Sequence, residues 1–194
     1  GVGELTLADQ DTVSESNLNR QMAALHSTLG QPKAEATARR LADIAPECVL
    51  HPLLLRYEAD RREEFFSGRY DYIVDAIDLV SCKLDLIETA HSRGIPIISA
   101  LGTGNKLDPQ QLRLADIAQT EGCPLARVIR KELRHRGIRH HKVVFSPELA
   151  RTPCDCGQVP DPGRRSVPAS AMWVPASAGL LLAYAVVSDL TADL

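Results

Sequence analysis

The run Asp71-Tyr-Ile-Val-Asp75-Ala-Ile-Asp78 constrains the fold more than any other stretch, because a helix and a second strand come directly after it. Tyr72-Ile-Val reads as a short buried strand. Val80, Leu84 and Ile87 then begin a helical stripe that Gly94 ends, and Ile95-Pro-Ile-Ile-Ser-Ala100 reads as the next strand. Strand, helix, strand at this pitch means a parallel sheet with right-handed crossovers. Asp75 and Asp78 fall at the C-terminal end of the first strand, where ligands of open α/β sheets gather. Two carboxylates there can hold Mg²⁺ on a nucleotide. Asp78 is also well placed to cap the following helix, and a cap and a metal ligand are not exclusive.

A second informative stretch lies near the start, Leu5-Thr-Leu-Ala-Asp9-Gln-Asp11-Thr-Val-Ser-Glu-Ser-Asn17-Leu-Asn19-Arg20-Gln21. Its apolar alternation reads as a strand ending in acids, and an acid at such a strand tip is where a ribose hydroxyl is gripped. Arg20 offers a planar fork for phosphate, and Asn17 and Gln21 offer amides. The competing reading is a strand, a turn and a solvated helix start. Pro32 to Ala45 has apolar residues at Ala34, Ala38, Leu41 and Ala45, which predicts a helix with proline at its permitted end. Lys33 in its first turn opposes the helix dipole, which suggests an anion nearby, with a plain surface lysine as the alternative. Pro46 blocks continuation, and Cys48 to Leu54 reads as an extended segment bent at Pro52. Gly1-Val-Gly3 precedes the first strand, so it is not a phosphate-cradling loop; a left-handed helix cap is expected there.

Further along, Leu101-Gly-Thr-Gly104-Asn-Lys106 reads as a tight turn after a strand, and Gln111 to Asp116 as a strand. From Pro124 to Lys142, Arg127, Arg130, Lys131, Arg134, His135, Arg136, Arg139, His140, His141 and Lys142 are opposed by Glu132 alone. Leu125, Val128, Ile129 and Leu133 supply the apolar face of a helix there. In a chain of net charge -3 this concentration points to phosphate-backbone binding, against a plain solvated face. Lys142 to Ser146 is a strand candidate. Glu148 to Ala171 lacks periodicity and reads as a long loop. It contains Cys154 and Cys156, but a zinc site needs a second pair and none exists. Met172 to Leu190 is apolar yet interrupted by Pro175, Ser177 and Gly179, so a buried core helix is expected rather than a membrane span. With 194 residues a single domain spanning the whole chain is expected. Five irregularly spaced cysteines and no visible secretory leader suit a reducing cytoplasm.

Four blocks occur in the order that characterises one family: Leu-Ala-Asp9-Gln-Asp11, Ser-Asn17-Leu-Asn19-Arg20-Gln21, Leu29-Gly-Gln-Pro-Lys33-Ala-Glu and Val-Asp75-Ala-Ile-Asp78. On these motifs the chain resembles the ubiquitin-activating-like adenylating-enzyme superfamily. Ala100 to Pro109, Asp116 to Leu125 and the basic stretch look most like its tRNA threonylcarbamoyladenosine dehydratases. The resemblance implies an α/β, Rossmann-like fold with a mostly parallel sheet and helices on both faces. The family's first strand, glycine-rich loop and first helix are missing from this sequence. An incomplete, destabilised domain is therefore expected, one whose turnover of ATP as it stands is in question.

The implied activity is ATP-dependent adenylation of the threonyl carboxylate of threonylcarbamoyladenosine in tRNA, leading to dehydrative cyclisation. By resemblance, Asp9 binds the ribose and Asn17, Arg20 and Lys33 hold the phosphates, with Asp11 and Gln21 in the same nucleotide-binding set. Arg20, Lys33 and Asp78 are the catalytic set, with Asp78 on Mg²⁺. Arg127, Arg130, Lys131, Arg134, Arg136, Arg139 and Lys142 are the tRNA-binding set. ATP and Mg²⁺ are the implied cofactors; tRNA, a second copy of the chain and sulfur-transfer proteins are the implied partners, with no membrane. The alternatives are adenylation of a small sulfur-carrier protein, whose enzymes commonly carry two Cys-x-x-Cys pairs absent here, and a non-catalytic nucleotide-binding domain.

Overall fold

A computed structural model describes residues 1–152 and 170–192. The chain divides into two compact units, Gly1–Arg61 and Arg62–Leu194.

In the first unit, β1 (Glu4–Ala8) pairs in parallel with β2 (Val49–Leu53), Leu5 opposite Leu50 and Leu7 opposite Pro52. The proline therefore sits within the ladder of an extended strand. Between them, α1 (Lys33–Ile44) starts after Pro32, whose fixed φ prepares the first turn. It ends at Ala45, which cannot stay helical before Pro46 and has ψ 76°. Ala36 packs with Val13 and Ala24, flanked by Leu18 and Leu29. Gly3 is not left-handed; its carbonyl accepts from Val49 N (2.9 Å) and extends the ladder, so the helix cap expected there is not what Gly3 forms.

The second unit contains a short α2 (Arg62–Phe65), β3 (Ile73–Asp75), α3 (Val80–Ser92), β4 (Ile97–Leu101), β5 (Arg113–Asp116), α4 (Pro124–His135), β6 (Lys142–Phe145) and α5 (Trp173–Leu190). Its sheet has the order β3-β4-β6-β5, with β3, β4 and β6 parallel and β5 antiparallel. β5 starts two residues later than the pattern predicts, because Pro109–Gln111 takes a 3₁₀ turn capped by Asp108. α3 closes as expected: Gly94 adopts φ +67° and Ile95 N reaches back to Ala90 O (2.9 Å).

Alternation along the strands gives the sheet two faces. Ile98 and Val144 meet Ala178, Leu182 and Ala185 of α5. Asp75 and Ser99, paired in register, point to the α3 face, where α4 packs against α3. Each fully buried leucine-sized side chain contributes about 1.5–3 kcal/mol to this packing. α5 is not wholly a core helix. It buries one row, while Leu180, Tyr184 and Val187 on the other side are 73%, 64% and 52% exposed. By length and composition α5 could cross a membrane; one face of it is committed to the sheet. Cys154 and Cys156, and most of the expected loop, lie outside the described residues.

Candidate active site

At the tip of β1, Asp9 N donates to Leu53 O (3.1 Å), which carries the ladder one residue further. Asp9 Oδ1 accepts from Asp11 N (2.8 Å), and this turn reverses the chain so that Asp11 O receives Lys33 N (2.9 Å). The anion that Lys33 was expected to face is Asp11 itself: Nζ to Oδ2 is 2.9 Å, with the lysine side chain 15% and the aspartate 50% exposed. A half-exposed pair of this kind contributes about 0–1 kcal/mol. It is cheap to exchange for a stronger anion such as a phosphate. Among the described residues none donates to the second carboxylate oxygen of Asp9.

Asn17 is buried, and its Oδ1 accepts from Ser14 N (3.1 Å), closing the 3₁₀ turn Glu15–Asn17. Gln21 N donates to Asn17 O (2.9 Å). Arg20 is half-buried and donates from Nη1 to Ser16 O (2.5 Å) and Asn19 Oδ1 (3.0 Å). Within the first unit, then, two acids (Asp9 and Asp11), two amides (Asn17 and Gln21) and two cations (Arg20 and Lys33) are carried on the segments just beyond a strand tip. The sequence predicted that segment, and the structure builds it from two local turns.

In the second unit the two acids of the Asp75–Asp78 pair part company. Asp75 is 1% exposed and saturated: Oδ1 accepts from Ile77 N (2.9 Å), Oδ2 from Lys83 Nζ (2.6 Å) and Ser99 Oγ (2.6 Å). It is therefore not a metal ligand, contrary to the reading of two carboxylates on one ion. Asp78 is exposed, and the N-cap of α3 is Leu79, with no side-chain cap bond, so the cap role expected of Asp78 is not played. Among the described residues no cluster of three or more His, Cys, Asp or Glu can hold a metal alone. One exposed carboxylate suits Mg²⁺ that takes its other ligands from phosphates and water.

Sequence reasoning missed two buried lysines. Lys83 faces Asp75 from inside α3, and Lys106 lies after the Gly-x-Gly turn beyond β4. Lys106 Nζ donates to Ser146 O (2.5 Å); burial pushes its pKa down, partly opposed by Cys123 and Glu148. The turn needs its glycine, because Gly102 has φ +58° and an added Cβ would come within 2.3 Å of Cys123 Sγ. The available signal for Lys83 was a lysine at a position where helical periodicity calls for an apolar residue.

The basic stretch forms α4 and the loop after it. The buried row is Ala126, Ile129 and Leu133, while Val128, expected on that face, is 45% exposed. Arg127, Arg130, Lys131, Arg134 and His135 line a depression of about 360 Å³. Not all the cations are equally available. Arg130 donates to Thr120 O and Oγ1 (both 2.6 Å), and Arg136 pairs with Glu132 (2.8 Å) and Glu88 (3.4 Å). Lys142 lies 2.5 Å from Asp189, which Lys142 and Tyr72 together hold below the usual carboxylate range. Arg127, Lys131, Arg134 and Arg139 remain exposed.

A model of the ThiF family matches residues 1–134. The chain is 38% identical over 202 residues to the tRNA threonylcarbamoyladenosine dehydratase of Bacillus subtilis (strain 168), which takes in 100% of this chain and 80% of that protein. It is 37% identical over 134 residues to the Escherichia coli K12 protein of the same name, 69% of this chain and 50% of that protein. The chain thus spans four fifths of one relative and about half of the other. Among solved structures, E. coli tRNA N6-threonylcarbamoyladenosine dehydratase in complex with ATP superposes with a TM-score of 0.84 at 30% identity, covering 98% of this chain and 76% of that one.

Proposed function

Because the chain belongs to the ThiF family and, within it, to the tRNA threonylcarbamoyladenosine dehydratases, we propose that it uses ATP to adenylate the threonyl carboxylate of threonylcarbamoyladenosine in tRNA and so drives its dehydrative cyclisation. The observation that carries this reading is the strand-tip arrangement of Asp9, Asp11 and Lys33. Asp9 accepts from ribose hydroxyls. Lys33 leaves Asp11 for the phosphates, with Arg20 and the amides of Asn17 and Gln21 beside it. Asp78 holds the Mg²⁺ that accompanies the nucleotide, which neutralises phosphate charge when bound.

A carboxylate oxygen of the threonyl group attacks the α-phosphorus, an acyl–phosphate bond forms and pyrophosphate leaves. Negative charge grows on the phosphoryl oxygens in that step, and fixed cations at Arg20 and Lys33 stabilise it. A nitrogen of the carbamoyl group then attacks the activated carbonyl, a carbon–nitrogen bond closes the ring, the nitrogen loses its proton and AMP leaves. No covalent enzyme intermediate is required, so no cysteine is assigned. The exposed cations Arg127, Lys131, Arg134 and Arg139 bind the tRNA backbone. The protein acts in the cytoplasm as a homodimer, for which the exposed row of α5 offers a surface. Activation of a sulfur carrier is not favoured, since the likeness to a dehydratase runs the length of the chain.

Calorimetric titration with ATP and Mg²⁺ tests the assignment. Asp9→Ala and Lys33→Met should each weaken binding about tenfold or more, the size of a lost hydrogen bond to a charged group. Unchanged affinity in both variants would overturn it.

A further inference from the structure

Asp75 and Lys83 form an ion pair with both side chains 0% exposed. Removing two charges from water costs several kcal/mol each, and an apolar pair of the same volume is often as stabilising or more so. Stability alone therefore does not account for the pair. Its geometry does, because of where the two partners sit. Asp75 is the last residue of β3 and Lys83 lies in the first turn of α3, so residues 76–79 form a four-residue bridge between the two elements. Asp75 Oδ1 takes Ile77 N at the start of that bridge, and Asp75 Oδ2 takes Lys83 Nζ beyond its end. Lys83 N also donates to Leu79 O (2.9 Å), and Lys83 Nζ to Ala100 O (3.2 Å) on β4. The bridge is thereby closed into a ring by side chains and anchored to the neighbouring strand. Asp78 projects from it.

Asp75 is itself held. Ser99 Oγ donates to Asp75 Oδ2 and accepts from His141 Nε2 (2.8 Å), while His141 Nδ1 accepts from His91 Nε2 (3.4 Å). Each donor in this chain has one acceptor, and the direction ends at a carboxylate, which fixes His141 as the Nε2–H tautomer.

We propose that Lys83, Asp75 and Ser99 are positioning residues for Asp78: the buried cluster fixes the β3–α3 bridge so that the Asp78 carboxylate is set in place for the metal before it arrives. This rests on the reading of Asp78 as the Mg²⁺ ligand. Groups that orient a metal ligand without touching the metal typically change its affinity by about tenfold or more when removed.

The test is ATP binding by the full chain, followed by calorimetry across a Mg²⁺ titration, together with pyrophosphate release from ATP in the presence of threonylcarbamoyl tRNA. Ser99→Ala and Lys83→Met should raise the half-saturating Mg²⁺ concentration about tenfold or more. The KM for tRNA should stay within about twofold, and excess Mg²⁺ should restore the rate. Ser99→Thr, which keeps the hydroxyl, should behave as the parent. Ser99→Ala deletes one neutral group and guards against a Lys83 variant that does not fold. A lower melting temperature with unchanged Mg²⁺ dependence would overturn the proposal and leave the cluster merely structural. Asp78→Asn runs in parallel: if it leaves the Mg²⁺ dependence unchanged, the underlying reading of Asp78 fails, and the proposal with it.

Discussion

His141 shows at residue scale how placement sets chemistry. Burial, then the His91 and Lys83 charges, lower its pKa from 6.5 to about 3, against a smaller upward pull from Asp116. A histidine with a depressed folded pKa binds its proton in the unfolded chain first. Its contribution to stability is complete above pH 6.5 and is lost as pH falls from there towards 3. By linkage, acidification from pH 6.5 to 5 should lower the unfolding free energy by about 2 kcal/mol. Urea titrations at the two pH values check this, and His141→Gln should remove most of the difference. An equal loss in parent and variant would contradict it. Asp9 and Lys33 were legible in the sequence because each sits beside a local signal, a strand end or a helix-initiating proline. Lys83 was not, because its partner Asp75 is reached only once β3 and α3 pack, and it occupies a position where periodicity calls for an apolar side chain.

At the scale of elements, the strand–helix–strand pitch predicted the parallel order correctly, since it depends on short-range pattern. The antiparallel direction of β5 escaped it, because direction is set by the long connection through α4 to β6. The helical nature and basic character of α4 were equally plain; which cations are available was not. Arg130 is tied to the end of the Thr120 turn, whereas Arg127, Lys131 and Arg134 are exposed on one helix. Replacing those three by glutamine should therefore weaken tRNA binding and reduce the slope of log K against log salt by about 2–3, roughly 0.7–0.9 per phosphate contact. Filter binding across a salt series measures it. An unchanged slope would refute the assignment of α4 to the tRNA backbone.

At the scale of the molecule, the fold class was legible in the alternation of strands and helices, and the family in four motif blocks in order. The division into two compact units falls within the charged run Arg56 to Glu64, but a charged run does not by itself mark a boundary, and the division arises from contacts made at long range. The residues proposed for the ribose and phosphates lie in the first unit, and Asp78 and the basic helix in the second. Under the proposed function they serve one reaction, ATP-dependent loss of water from a modified adenosine. That unity is tested most directly by incubating the full chain with ATP, Mg²⁺ and threonylcarbamoyl tRNA, then digesting the tRNA and weighing its nucleosides by mass spectrometry. The expected product is a nucleoside lighter by one water, formed with equal amounts of AMP and pyrophosphate and absent with Lys33→Met. An unaltered nucleoside, or cyclisation that proceeds without AMP formation, would contradict it.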